Sequence, residues 1–271
     1  MHKKSKINNT QNLGTHINKH THSHIGNHIN KRITNALAKC IKSFLLAGFC
    51  MLATIHIAHA QNPQQVPNTN NKINSDLKEG RDFIVLENPI PNAKNTIIEV
   101  FSYSCPFCYR YSKHLPNLIK SLPENVEFKP YHLSKKGDYG QLASQVFAVL
   151  VFKDKKANIP ITDAEKSHFY KAQKAYFNAY NINKERWGGG KNPQAFLHTG
   201  LDSAGIKLDD FYATLQEKAV QEILASWEDS YEVARIQGIP AFVVNGKYLI
   251  YTKSIHSLED LKYKIIELLK K

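Results

Sequence analysis

Hydrophobic positions change their period once in the stretch TIIEVFSYSCPFCYRYSKHLPNLIKSL, Thr96 to Leu122. Ile97, Ile98, Val100, Phe101 and Tyr103 form a nearly continuous β-branched and aromatic run, the pattern of a strand buried on both faces. After Pro106 the apolar positions Tyr111, Leu115, Leu118, Ile119 and Leu122 recur every three or four residues, which is a helix period. Pro116 should kink that helix, since proline removes an N–H and crowds the preceding turn.

The same reading extends along the chain. Asp82 to Leu86 is a short strand candidate ended by Glu87-Asn88-Pro89, and Val126 to His132 is another, with Pro130 marking an edge, a bulge or an early end. From Asp138 to Gln237 the pattern is helical. Leu142, Val146, Val149 and Leu150 form one stripe; Thr162 to Glu165 has capping-box spacing and leads into Phe169, Ala172, Tyr176, Phe177 and Tyr180. Trp187 to Gly190 reads as a loop, and Asn192-Pro193 can start a short helix. A long stripe, Val220, Ile223, Leu224, Trp227, Tyr231 and Ala234, stops at Gly238, a suitable C-cap. Two β-rich runs between Ile239 and Tyr251 are joined by Asn245-Gly246, a strong hairpin signal, and Ser257 caps a last helix with Leu258, Leu261, Ile265 and Leu268 on one face. The order is βαβ, a helical block, then ββα. The expected fold class is therefore α/β, with the block at 138–237 inserted into a small domain formed by 79–137 and 238–271.

Charge is unevenly spread. Residues 1–60 hold eight of the 36 Lys and Arg, none of the Asp or Glu, and eight of the 13 His. Lys39 and Lys42 precede an apolar stretch, Ser43 to Ile55, followed by Ala58-His59-Ala60. A basic region, an apolar core of about 7–15 residues and an A-x-A-like site describe a secretory signal peptide. A membrane span usually needs about 20 apolar residues, so no permanent anchor is expected. Cleavage after Ala60 would remove Cys40 and Cys50 and leave 28 basic against 23 acidic residues, a formal net charge of +5 instead of +13. No concentrated basic stripe then argues for nucleic-acid binding. Residues 1–32 are too long for an ordinary leader and read as a low-complexity extension or a start upstream of the true one. Residues 61–78, rich in Asn, Pro and Gln, read as a flexible linker.

The candidate chemistry is Cys105-Pro106-Phe107-Cys108, placed where strand gives way to helix. Pro106 fits the first helical turn, where a missing N–H costs nothing. Cys105 then meets unpaired backbone N–H groups and the positive end of the helix dipole, which stabilise a thiolate. Cys108, one turn inward, should be more buried and keep its proton. Such an asymmetric pair suits thiol–disulfide exchange. A CxxC can also be half of a zinc site or a plain structural disulfide. Zinc needs four ligands and the chain has no second CxxC, so no metal is expected; a disulfide closing so short a loop restricts the unfolded chain little.

These residues resemble the periplasmic thiol:disulfide interchange proteins of the DsbA type, whose fold is thioredoxin-like with a helical insertion. The resemblance runs from about Glu79 through the C-terminal helix and is strongest in EVFSYSCPFCY (Glu99 to Tyr109) and GIPAFVVNGKY (Gly238 to Tyr248). It implies that Cys105 is the nucleophile and Cys108 the resolving cysteine. It also implies that Pro240 follows a cis peptide bond beside the sulfurs and that the Ile239 backbone pairs with an extended substrate segment, a form of strand addition. Glu99 matches a buried acidic residue under the site, where burial would raise its pKa, and His132 matches a histidine near the motif. Two positions depart from the family pattern. Pro130 stands where close relatives carry a buried lysine, and Lys129 is no obvious substitute because neighbouring strand residues face opposite ways. Phe107 stands where the best-known members have histidine, which alone should raise the Cys105 pKa and weaken oxidation.

The resemblance implies a soluble periplasmic enzyme that introduces disulfides into unfolded exported proteins, needs no cofactor, and is reoxidised by a quinone-linked membrane partner of the DsbB type. Other activities stay open: a reductase or isomerase on the same scaffold, a peptide-binding chaperone whose cysteines are incidental, and metal binding through the CxxC.

Overall fold

The computed structural model describes residues 76–271. The expected leader, the expected cleavage site after Ala60, Cys40, Cys50 and nearly all of the expected linker at 61–78 lie outside the described residues. In chain order the elements are β1 (Phe83–Val85), β2 (Thr96–Phe101), α1 (Pro106–Ser112), α2 (Leu115–Lys120) and β3 (Glu127–His132). Six helices follow: α3 (Gly140–Lys156), α4 (His168–Asn181), α5 (Pro193–Ala204), α6 (Leu208–Leu215), α7 (Lys218–Ser226) and α8 (Asp229–Gln237). The chain closes with β4 (Ala241–Val244), β5 (Tyr248–Ile250) and α9 (Leu258–Leu269).

One sheet joins the two β segments, in the order β1-β5-β4-β2-β3. β2 and β3 run parallel, with Glu99 opposite Pro130 and Phe101 opposite His132; the other pairings are antiparallel. Every residue of β2 is buried, as its unbroken apolar run requires. β3 lies at the sheet edge, so Pro130 leaves no ladder bond unmade in the interior of the sheet. One face of the sheet, with Ile97, Phe242, Val244 and Ile250, packs against Leu115 and Leu118 of α2 and Leu261, Ile265 and Leu268 of α9. The opposite face, with Ile98, Val100 and Val243, continues into the core of the helical block. Within that block α3 packs against α4, α5, α6 and α7 and touches β3, while α8 packs against β2 and β4. Among the described residues no helix is long and apolar enough to cross a membrane.

Local chemistry explains the ends of these elements. Asn192 accepts from the Ala195 N–H (3.0 Å) and starts α5 ahead of Pro193. Ser257 accepts from the Asp260 N–H (3.1 Å) and starts α9. The hairpin turns at Asn245 and Gly246, both with positive φ (54° and 66°), and the Asn245 side chain accepts from the Asn95 N–H at 2.9 Å.

Three sequence expectations are corrected. The helix after Cys105 does not kink at Pro116; it stops at Ser112 and restarts at Leu115, which places Pro116 in the first turn of α2, where its missing N–H is harmless. Ser167, not Thr162, caps α4: its Oγ accepts from the Tyr170 N–H (3.0 Å) and donates to the buried Asp154 carboxylate (2.6 Å). The Asp163 carboxylate instead accepts from the N–H groups of Glu165 and Lys166, closing a separate turn. The stripe from Val220 to Ala234 is two helices, broken at Trp227 and Glu228, because α7 follows α3 while α8 turns onto the sheet. Trp227 is buried at the bend, its ring centroid 6.4 Å from that of Tyr131.

Close packing inside the block gives a test. Gly200 of α5 lies against the ring of the fully buried Tyr176, whose hydroxyl donates to the Phe196 carbonyl at 3.1 Å. A methyl group there would overlap that ring. We expect Gly200→Ala to destabilise the protein by about 1–3 kcal/mol in denaturant unfolding, because the ring has nowhere to go. Unchanged stability would show that the helices separate at little cost.

Candidate active site

The end of β2 sets the position of the first cysteine. After Phe101 the chain turns through Ser102, Tyr103 and Ser104, and the Cys105 N–H closes the turn on the Ser102 carbonyl at 3.0 Å. Cys105 is extended (φ −92°, ψ 115°) and is the N-cap of α1, followed by Pro106 at the first helical position. Its Sγ takes the place a serine oxygen has in an ordinary cap and accepts from the Cys108 N–H at 3.3 Å. The Ile239 carbonyl lies 3.5 Å from the same sulfur, and the peptide bond from Ile239 to the buried Pro240 is cis. Both cysteines are free and buried, Cys105 3% exposed and Cys108 0%.

This setting separates the two thiols. The Cys108 side chain donating to Cys105, then the backbone N–H groups of Cys108 and Phe107 and the Lys136 ammonium, bring the Cys105 thiol down to about 6, against the opposing effect of burial. Cys108 moves the other way, raised first by burial, then by the hydrogen bond its thiol makes to Cys105 and by the negative charge of Cys105. One sulfur is thus an anion near neutral pH and its neighbour holds a proton.

Beneath the pair lies Glu99, 1% exposed, in register with Phe242 on one side and Pro130 on the other. Among the described residues neither carboxylate oxygen has a hydrogen-bond partner. Burial, and then repulsion from Cys105, push its pKa up to about 8. Pro130 supplies no cation, and the Lys129 ammonium is turned away, donating to the Asn92 carbonyl (3.0 Å) and pairing with Glu127 (3.4 Å).

The remaining candidates divide. Phe107 is exposed, with the Arg110 guanidinium 4.4 Å above its ring. His132 is wholly buried and burial takes its pKa down to about 3, so its ring is neutral; it bonds the Tyr103 backbone and Ser144, and its influence cannot be that of an imidazolium. Two contributors escaped the sequence reading, Lys136 and Ser144. Lys136 follows β3, and since β2 and β3 are parallel, the loops after both strands meet at one end of the sheet. That topology is the signal that could have found it; Ser144 carries none, being one small residue on a helix. Among the described residues no three His, Cys, Asp or Glu side chains converge to hold a metal.

The Glu99 environment predicts a pH dependence. A carboxyl whose folded pKa is raised keeps its full stability below the unfolded value, near 4.5, and loses it as pH rises through about 8. Replacing Glu99 by Leu removes that loss. In the reduced protein the stability advantage of Glu99→Leu over wild type should therefore grow by a few kcal/mol, in order of magnitude, between pH 5 and pH 8 in urea unfolding. An advantage equal at both pH values would show that the carboxylate is solvated.

With this geometry in place, comparison with known proteins is informative. The DSBA-like thioredoxin domain family matches residues 96–263. The thiol:disulfide interchange protein DsbL of Escherichia coli O6:H1 (strain CFT073) is 55% identical over 198 residues, covering 73% of this chain and 89% of that protein. A crystal structure of reduced DsbL matches with a TM-score of 0.68 and 54% identity, over 72% of this chain and all (100%) of that one. DsbL of Salmonella enterica serovar Typhimurium matches with a TM-score of 0.69 and 52% identity, over 73% and 99% of the two chains. The fold is thioredoxin-like, with a mixed sheet and helices between its two β segments, as the resemblance implied. The chain belongs to the DsbA-like thioredoxin family and is a thiol:disulfide oxidoreductase.

Proposed function

We propose that the chain is a periplasmic oxidase that introduces disulfides into unfolded exported proteins through Cys105 and Cys108. The observation that carries this reading is the placement of Cys105 Sγ as the cap of α1, accepting from the Cys108 N–H at 3.3 Å, with Cys108 wholly buried one turn inward. It favours the thiolate at Cys105 and the thiol at Cys108.

In the oxidised enzyme the two sulfurs are joined. A substrate thiolate attacks Cys105 Sγ, a substrate–Cys105 bond forms, and the Cys105–Cys108 bond breaks with its electron pair going to Cys108. Cys108 then takes up a proton, which its burial favours. A second substrate thiolate attacks the substrate sulfur of the mixed disulfide and expels Cys105 as a thiolate stabilised by the Cys108 and Phe107 N–H groups. The substrate loses two electrons and the cysteine pair gains them. Glu99, beneath the pair with a pKa near that of a physiological buffer, can hold or release a proton as the charge above it changes.

The Ile239 carbonyl beside the Cys105 sulfur supports the assignment of Ile239 and cis-Pro240 to main-chain recognition of an extended substrate. The division into 79–137 and 238–271 around a helical insertion, export by the leader with cleavage after Ala60, and reoxidation by a quinone-linked membrane protein of the DsbB type complete the proposal.

Incubation with a reduced, unfolded protein bearing two thiols tests it. Against the oxidised wild-type enzyme, which should pass its disulfide to the substrate, Cys105→Ser and Cys108→Ala should both fail, since neither can form the Cys105–Cys108 bond. Given the oxidised substrate instead, the Cys105 thiolate of Cys108→Ala should attack its disulfide and stay trapped as a mixed disulfide, visible by non-reducing electrophoresis, because no resolving thiol remains. Full biological activity in a variant lacking both thiols would instead favour the chaperone reading.

A further inference from the structure

The turn that presents Cys105 is held from below by a side chain with no charge to offer. His132 is the last residue of β3, opposite Phe101 in the ladder. Its ring is walled by Phe101, Phe147 and Tyr103, with centroids at 5.2, 5.1 and 6.1 Å, and has no access to solvent. Nε2 lies 3.3 Å from the Tyr103 backbone N, and Nδ1 lies 2.8 Å from Ser144 Oγ on α3. A backbone N–H can only donate, so Nε2 is the acceptor. The proton of the neutral ring is then on Nδ1, donated to Ser144.

We propose that His132, oriented by Ser144, is a positioning residue for thiol–disulfide exchange: it holds the Tyr103 N–H and thereby fixes the turn that seats Cys105 as the cap of α1. The inference rests on the reading of Cys105 as the reactive thiol. The turn also closes on itself, through the Cys105 N–H on the Ser102 carbonyl at 3.0 Å and the Ser102 and Ser104 hydroxyls 3.1 Å apart, but these bonds do not tie it to the rest of the protein. Ser104 N–H reaches Ser102 Oγ at 3.4 Å, and Ser102 Oγ reaches the Lys136 carbonyl at 3.3 Å. The Cys108 N–H to Cys105 Sγ distance is 3.3 Å, so any shift of the turn acts directly on the bond that stabilises the thiolate. Without the imidazole acceptor the Tyr103 N–H is left buried and unpaired, which is unfavourable, and the turn moves to find a partner. Because Ser144 belongs to α3, the arrangement also ties the helical block to the redox turn through a single ring.

The test is the ultraviolet titration of the Cys105 thiolate in the purified reduced protein, with thermal unfolding measured alongside. His132→Phe keeps an aromatic ring and removes the acceptor; it should raise the midpoint by about half a unit or more, roughly a threefold loss of thiolate below the midpoint. His132→Gln, whose amide oxygen can stand where Nε2 does, should restore the wild-type midpoint even if it unfolds at lower temperature. Ser144→Ala leaves the ring unoriented and should shift the midpoint in the same direction by a smaller amount; it carries the test if His132→Phe does not fold. Variants that lose thermal stability but titrate as wild type would reduce His132 to a core residue and overturn the proposal. A wild-type protein with no low-pKa thiolate would instead sink the reading of Cys105 itself, which keeps the two failures apart.

Discussion

Everything at the site depends on one substitution of atoms: a sulfur stands where a helix usually has a capping oxygen. The Cys108 N–H that meets Cys105 Sγ at 3.3 Å would be unpaired in any helix start, and here it stabilises a negative sulfur. For that bond to exist, β2 must deliver the chain to one point, the turn through Ser102 must leave Cys105 extended, and Pro106 must begin the helix at once. The fully buried strand gives a fixed base, and the Ile239 carbonyl lies 3.5 Å from the sulfur. Fold and chemistry meet in the first turn of α1.

Beneath that turn the charge balance differs from the pattern the family resemblance implies. Glu99 faces Pro130 rather than a lysine, and its two oxygens have no donor among the described residues. A carboxyl so placed stays largely protonated near neutral pH, so it adds less negative charge under Cys105 than an ionised one would. Phe107 brings no positive charge to the pair, and Pro130 brings none to the protonated Glu99. Cys105 is nevertheless displaced toward the thiolate, by the Cys108 thiol, by backbone N–H groups and by Lys136 from the loop after β3. The site depends on backbone geometry more than on a neighbouring imidazolium.

Most of this was legible in the sequence where the signal is local. The buried strand, the thiol pair at a helix start, the Asn245-Gly246 turn and the Ser257 cap each follow from a few adjacent residues, and each was found. What escaped depends on direction or distance. Periodicity records which face a helix buries but not where the chain bends, so α7 and α8 read as one helix across Trp227. The cap of α4 is decided by Asp154, a buried carboxylate on another helix, so the local spacing pointed to Thr162 and gave no sign of Ser167. Lys136 and Ser144 act across 31 and 39 residues from Cys105, and only the parallel pairing of β2 and β3 brings their segment to the turn. The cis bond before Pro240 came from the family resemblance, since spacing carries no trace of it.

The central claim is that the Cys108 thiol, together with the backbone donors at the cap, makes Cys105 a good leaving group without help from a histidine at position 107. The most direct measurement is the equilibrium of the purified wild-type protein with reduced and oxidised glutathione. The account predicts a pair that glutathione reduces readily, an oxidising potential well above the thioredoxin value of about −270 mV. A pair that stays oxidised under those conditions, with a thioredoxin-like potential, would contradict it and make this scaffold a reductase.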